Sequence, residues 1–362
     1  MSWFRSLFRS SSKSSSPKRS PETPTAMTAQ NRRAVLASRP VGMVKPEDFT
    51  FESVPVQQPG EGQILVEVAY VSLDPAMRGW LSDAKSYIPP VQIGEVMRAG
   101  GVGKVLASGD PAYQAGDTVV GITGVQTHAT VSTKGFAKVD PNMVPLPTYL
   151  GALGMPGLTA YFGLLDVCAM KDGETVVCSG ATGAVGQVVG QIAKIKGGKV
   201  IGIAGGPEKC RMAVEQFGYD ACIDYKAEDV RKAIRQHAPE GIDIYFDNVG
   251  GDILDAALAN LRMKARVGIC GAISQYNNTG PTQGPANYLS LLVNRARMEG
   301  FIVFDFARRY GEALATMARW VAEGKLKHVE DVREGGVDAF VTTLNKLFAG
   351  ENVGKLVLKI AD

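Results

Sequence analysis

Between Asn31 and Val139 short apolar stretches alternate with clusters of Gly, Pro and Asp: RRAVLASR, GQILVEVAYVSLD, GGVGKVLASG, AGDTVVGI and FAKVD. Runs of this length bounded by turn residues predict strands, and their succession predicts an antiparallel, barrel-like β domain. Pro55, Pro59, Pro75, Pro89 and Pro90 mark turns and strand ends, where a missing N–H does no harm. After Pro145 the period lengthens. Leu158, Tyr161, Phe162 and Leu165 recur at helical spacing, which predicts a helix over 155–168.

From there strands and helices alternate. KVIGIAG, ACID, IDIYFDN, ARVGICG and RMEGFIVFD (297–305) read as strands, while PEKCRMAVEQFG, DVRKAIRQHA and GDILDAALANL read as the helices among them. Such alternation predicts a parallel doubly wound sheet with ligands at the C-terminal strand ends. A last helix, GEALATMARWVAEGK, precedes NVGKLVLKI, a strand expected to return and complete the β domain.

The α/β half opens on ETVVCSGATGAVGQVVGQIAKIK (174–196), an apolar strand that passes through a glycine turn into an amphipathic helix. Gly183 lacks a Cβ and so lets the backbone approach a pyrophosphate, and Gly186 permits close packing of helix and strand. N–H groups at the helix start then face the anion. The string is A-x-G-x-x-G, with Ala181 where a glycine is usual. A strand before it and βαβ units after it supply the context that this fingerprint requires.

Composition narrows the class. The net charge of +3 is concentrated in residues 1–26, which hold Arg5, Arg9, Lys13, Lys18 and Arg19 against Glu22, so the remaining 34 basic and 35 acidic residues nearly balance. A neutral body argues against nucleic-acid binding, and no apolar run approaches the ~20 residues of a membrane span. Residues 1–27 form a Ser/Pro-rich basic tail expected to be disordered. Its Trp3, Phe4, Leu7 and Phe8 resemble a mitochondrial transit peptide, which would place the protein in the matrix; the alternative is an arbitrary extension upstream of a start at Met27. Five cysteines without a C-x-x-C pair suit the cytoplasm. No cysteine precedes Cys168 and His128 stands alone, so the β domain lacks the thiolate and imidazole set of a catalytic zinc site.

The strings SLDPAMRGW, PPVQIGEVM, MPGLTAYFGL, GAVGQVVGQIAK, YFDNVGG, CGAISQYN and NVGK occur in that order. In them the chain resembles the medium-chain dehydrogenase/reductase superfamily, and more narrowly its zinc-free leukotriene 12-hydroxydehydrogenase/prostaglandin reductase branch. The resemblance implies a GroES-like antiparallel β-barrel catalytic domain (28–152 and 325–362) and a Rossmann coenzyme domain (153–324). It also implies NADPH-dependent reduction of the double bond of α,β-unsaturated ketones and aldehydes, with a homodimer formed through the edge strand 297–305. Zinc-free quinone reductases share this fold and remain an alternative activity; a nucleotide-binding protein without turnover is a third.

Coenzyme contacts are implied at Met155, Gly183, Ala184, Val185 and Gly186, and at Lys209, Tyr225, Asn248 and Asn352. Cys270, Gly271, Ala272, Ile273, Ser274 and Tyr276 follow from the CGAISQYN string, and Phe301, Ile302 and Val303 from the edge strand. The residues themselves favour NADPH: the strand after the cradle ends in Gly205-Gly206-Pro207 where an NAD site places an acidic residue, and Lys209 and Arg211 follow, with Glu208 between. Some relatives carry a tyrosine where Ala76 stands here, so no role transfers from it. Tyr87, Tyr276 and Tyr288 are the candidate donors to a developing enolate, each with packing as its alternative role; a coenzyme ribose hydroxyl or a water is a further candidate donor.

Overall fold

The computed structural model describes residues 29–361, so the tail expected at 1–27 lies outside the described residues. The catalytic domain begins with β1 (Gln30–Leu36) antiparallel to β2 (Phe49–Pro55). Its main sheet is built on β3 (Gln63–Ser72), followed by the short helix α1 (Ala76–Trp80) and by β4 (Gly100–Ser108), β5 (Thr118–Ile122), β6 (His128–Ser132) and β7 (Ala137–Lys138). β3 pairs antiparallel with both β4 and β6, and β4 continues through β5 to β7. Alternation along β3 puts Ile64, Val66 and Val68 inside.

The Rossmann domain runs through α2 (Met155–Phe162), β8 (Thr175–Ser179), α3 (Gly186–Ile195), β9 (Lys199–Ala204), α4 (Pro207–Glu215) and β10 (Ala221–Asp224). It continues with α5 (Val230–His237), β11 (Ile242–Asp247), α6 (Gly251–Leu258), β12 (Leu261–Ile269), α7 (Leu289–Asn294), β13 (Arg297–Gly300) and α8 (Tyr310–Ala322). Its six strands are parallel, in the order β10-β9-β8-β11-β12-β13. The order reverses between β8 and β11, which opens the crevice where such sheets take ligands.

Two expected elements are shorter than their patterns. The helix over 155–168 is α-helical only to Phe162 and then widens into a π turn at Gly163–Val167, where Gly163 lies against the rings of Phe246 and Phe301. The strand over 297–305 stops at Gly300, and Val303–Arg309 coils into a 3₁₀ turn that stacks Phe306 on Phe162, ring centroids 4.7 Å apart. The tail returns as expected: β15 (Lys355–Lys359), reached through β14 (Glu330–Arg333) and α9 (Phe340–Ala349), pairs with β3. Phe340, Val341 and Leu344 of α9 enter the same core as Leu36, Val71 and Met77. Among the described residues no helix is long and apolar enough to cross a membrane.

Candidate coenzyme and substrate site

At the end of β8 the chain turns through Gly180, whose φ of +63° favours glycine. The N–H groups of Ala184, Val185 and Gly186 make no hydrogen bond among the described residues, so α3 begins with donors free to receive an anion. Gly186 packs against the turn itself rather than against the strand: a Cβ there would lie 2.2 Å from the Gly180 carbonyl oxygen. Ala181 is tolerated because its fully buried methyl faces Gly202 on β9, where a Cβ would approach it to 2.8 Å. The missing glycine has a counterpart on the neighbouring strand.

Across the switch point, Asn248 donates from Nδ2 to the Ser179 carbonyl at 2.8 Å, and its N–H donates to Ser179 Oγ at 2.9 Å. Asp247 beneath it is buried, and its Oδ1 accepts from Ser179 Oγ, Tyr245 OH and the N–H groups of Val249 and Gly250. Burial raises its carboxyl above the usual range in spite of these donors. The loop 270–276 lies along this end. Cys270 and Gly271 donate to the Asp247 carbonyl, Ile273 to that of Asn248, and Ser274 to that of Val249. Burial, with Asp247 nearby, pushes the Cys270 thiol up to about 12, so it stays protonated at neutral pH.

Beyond this loop Phe301 meets Phe246 edge-on, with centroids 6.0 Å apart. Ile302 accepts from the Asp305 N–H, and Val303 accepts from the Tyr310 hydroxyl, which also lies 3.9 Å from the Met155 sulfur. Met155, at the start of α2, is 46% exposed, its thioether beside the Tyr310 hydroxyl. The returning tail reaches the cradle directly: the Gly354 N–H donates to Thr182 O at 3.1 Å, Gly354 bridges to Gly183, and Asn352 Nδ2 donates to Gly354 O at 2.9 Å.

At the other rim, Lys209 donates to the Gly350 carbonyl at 2.7 Å. Burial lowers its pKa, and the like charge of Lys226 lowers it further. Tyr225 is half exposed with its ring against Gly205. Glu208 and Arg211 point into solvent. Lys226 is a cation that the sequence reading missed. The signal was available, because the loop after β10 adjoins the loop after β9 in this strand order.

Of the three candidate phenols, two hold a hydroxyl oxygen that accepts an N–H. Tyr87, on the loop after α1, accepts from Trp80 Nε1 at 3.2 Å and sits 6.2 Å from the Phe304 ring. Tyr276 accepts from the Ala272 N–H at 3.0 Å, and its pKa is raised by burial and, further down, by the proximity of Cys270 and Tyr87. Indole and amide N–H groups only donate, so both phenol oxygens are acceptors there and both O–H protons are left for another oxygen. Tyr288 stands on an exposed turn beside α6, with no hydrogen bond from its hydroxyl among the described residues.

Comparison with known proteins supplies the family. Residues 32–139 match the model described as the N-terminal domain of oxidoreductase, and residues 184–320 match that described as zinc-binding dehydrogenase. Zinc has no donor set here: among the described residues no three His, Cys, Asp or Glu side chains gather in a metal-holding arrangement. The chain is 45% identical over 337 residues to an NADPH-dependent curcumin reductase of Escherichia coli, covering 92% of this chain and 97% of that one. It is 41% identical to an NADP(+)-dependent 2-alkenal reductase of Nicotiana tabacum, covering 93% of this chain and 99% of that one. Among solved structures, CurA of Vibrio vulnificus in complex with NADPH superposes with a TM-score of 0.85 at 44% identity, over 91% of this chain and 99% of that one. The chain therefore belongs to the medium-chain dehydrogenase/reductase superfamily, within the branch of curcumin, 2-alkenal and prostaglandin reductases.

Proposed function

We propose that this chain, an NADPH-dependent oxidoreductase of the curcumin, alkenal and prostaglandin reductase group, reduces the carbon–carbon double bond of α,β-unsaturated ketones and aldehydes. The observation that carries the reading is that two phenols, Tyr87 of the catalytic domain and Tyr276 of the Rossmann domain, each accept an N–H and keep the O–H unspent. Bound NADPH would supply a hydride to the β-carbon. As the double bond breaks, charge develops on the carbonyl oxygen, where a preorganised O–H donor is worth most. Tyr87 suits that role: Trp80 fixes its oxygen, and its half-exposed ring lies 6.2 Å from that of Phe304. A proton then adds to the α-carbon.

The residues proposed to hold the coenzyme are the donors of Ala184, Val185 and Gly186 for the pyrophosphate and Lys209, Tyr225 and Lys226 for the 2′-phosphate. Asn248, the 270–276 loop, Phe301 to Val303, Met155 and Asn352 enclose the remainder. Five unpaired thiols accord with a cytoplasmic site of action. The exposed edge of β13 is the proposed contact of a homodimer.

The test is NADPH oxidation by purified protein with a 2-alkenone, a 2-alkenal and a benzoquinone. Turnover of the first two, with a Tyr87→Phe variant slowed about 100-fold in kcat, is expected. Fast quinone reduction with no enone turnover would overturn the reading.

A further inference from the structure

Two buried glutamines on α3 direct their side-chain amides away from the glycine turn, although the backbone N–H of Gln187 donates to the Gly183 carbonyl at 3.0 Å. Gln187 is fully buried and Gln191, one helical turn on, is 5% exposed. Gln187 Oε1 accepts the Val329 N–H at 2.9 Å, while its Nε2 donates to the Val329 carbonyl at 3.2 Å. Gln191 repeats the pattern at Lys327, accepting its N–H at 2.7 Å and donating to its carbonyl at 2.8 Å. Each primary amide thus pairs with the backbone of 327–329 as a neighbouring strand would. The spacings agree: one α-helical turn rises about 5.4 Å, and residues two apart in an extended chain are about 6.6 Å apart.

Residues 327–329 are the segment by which the chain leaves the Rossmann domain after α8 and enters β14 of the catalytic sheet. Val329 O also accepts the Lys355 N–H at 2.9 Å, next to Gly354, and Gly354 donates to Thr182 in the glycine turn. The contacts therefore form a ring, from the turn that opens α3, through the tail and the linker, back to α3.

We propose that Gln187 and Gln191 are positioning residues for hydride transfer. By clamping the linker to the coenzyme-binding helix they set the angle at which the catalytic domain, and Tyr87 with it, stands over the nicotinamide. The inference rests on the reductase reading only in needing an acceptor that the wild type reduces, whether enone or quinone. Failure of the enone reading therefore leaves it testable.

The experiment compares Gln187→Met and Gln191→Met with the wild type in NADPH affinity, by fluorescence titration, and in kcat, KM and the isotope effect with deuterated NADPH. NADPH affinity is expected within about twofold of wild type, while kcat falls about 10- to 100-fold, as small misplacement of reacting atoms produces. The isotope effect rises as hydride transfer becomes limiting. Gln191→Glu and Gln187→Glu keep the volume and, with the carboxyl protonated by burial, both the acceptor oxygen and a donor to the facing carbonyl; they restore part of kcat, more toward acid pH, and serve if a Met variant fails to fold. Unchanged kcat and isotope effect in folded variants, or NADPH affinity falling in step with kcat, would overturn the proposal.

Discussion

Lys209 shows how a single residue reads differently in sequence and in space. Its position at the start of the helix after the second strand marks it as a 2′-phosphate partner, but nothing in the sequence indicates that its ammonium is held by Gly350 of the returning tail, 141 residues away. That burial lowers its pKa, which gives a pH prediction. The proposed pairing of Lys209 with the 2′-phosphate needs the cation, so preference for NADPH over NADH should be full at neutral pH. It declines as pH rises through a pKa below the ordinary lysine range. The ratio of kcat/KM for the two coenzymes, measured across alkaline pH, should fall earlier than a solvated lysine would allow. Lys209→Met should lower that ratio about tenfold or more at neutral pH, as loss of one charge-assisted hydrogen bond implies, and flatten its pH dependence. Ala181 is the complementary case: it looks like a defect in the fingerprint until Gly202 is seen beneath its methyl.

At the level of elements, periodicity found the strands and helices whose neighbours are local and misjudged those shaped by distant aromatic contacts. The apolar run 297–305 alternates well enough for one strand, but Phe301 packs on Phe246 of β11 and Phe306 on Phe162 of α2, and the ladder ends at Gly300. β14, EDVR, has no apolar alternation to detect; its place is set by pairing with β15. What joins β8 to the far side of the sheet is similarly nonlocal. Glu174, just before β8, pairs with Arg266 of β12, and Arg266 also donates to the Cys168 carbonyl at 2.8 Å. Burial alone would raise the Glu174 carboxyl, but Arg266 and the Lys171 N–H outweigh it and hold it below the usual range. A carboxyl depressed in the folded state stabilises above its unfolded pKa, and that contribution disappears as pH falls through the folded one. Glu174→Gln should therefore cost about 2 kcal/mol at neutral pH, with the gap from wild type closing toward acid. Urea denaturation at a series of pH values measures it.

For the whole molecule, the returning tail is locked into the catalytic sheet by a contact between strings that the sequence offers separately. Lys355 of NVGK, 1% exposed, donates to the Leu73 carbonyl at 2.8 Å and to Asp74 of SLDPAMRGW at 2.7 Å. Their separation of 281 residues explains why neither string discloses the other. The Rossmann sheet has an exposed edge at β13. β13 ends the Rossmann sheet with all four residues exposed, and the neighbouring Leu292 and Val293 of α7 are 74% and 66% exposed. An unpaired edge beside exposed apolar side chains invites addition of another strand, and a second copy supplies an identical edge in a closed two-fold pairing. Covering this edge would also leave the cradle free, since α3 and its turn lie on the other side of β11 and β12 in the strand order. Sedimentation velocity at micromolar concentration should accordingly find a dimer. Leu292→Glu with Val293→Glu should shift it to monomer without weakening NADPH binding, because neither residue approaches the switch point. A wild type that sediments as a monomer, or a variant that stays dimeric, would move the interface elsewhere.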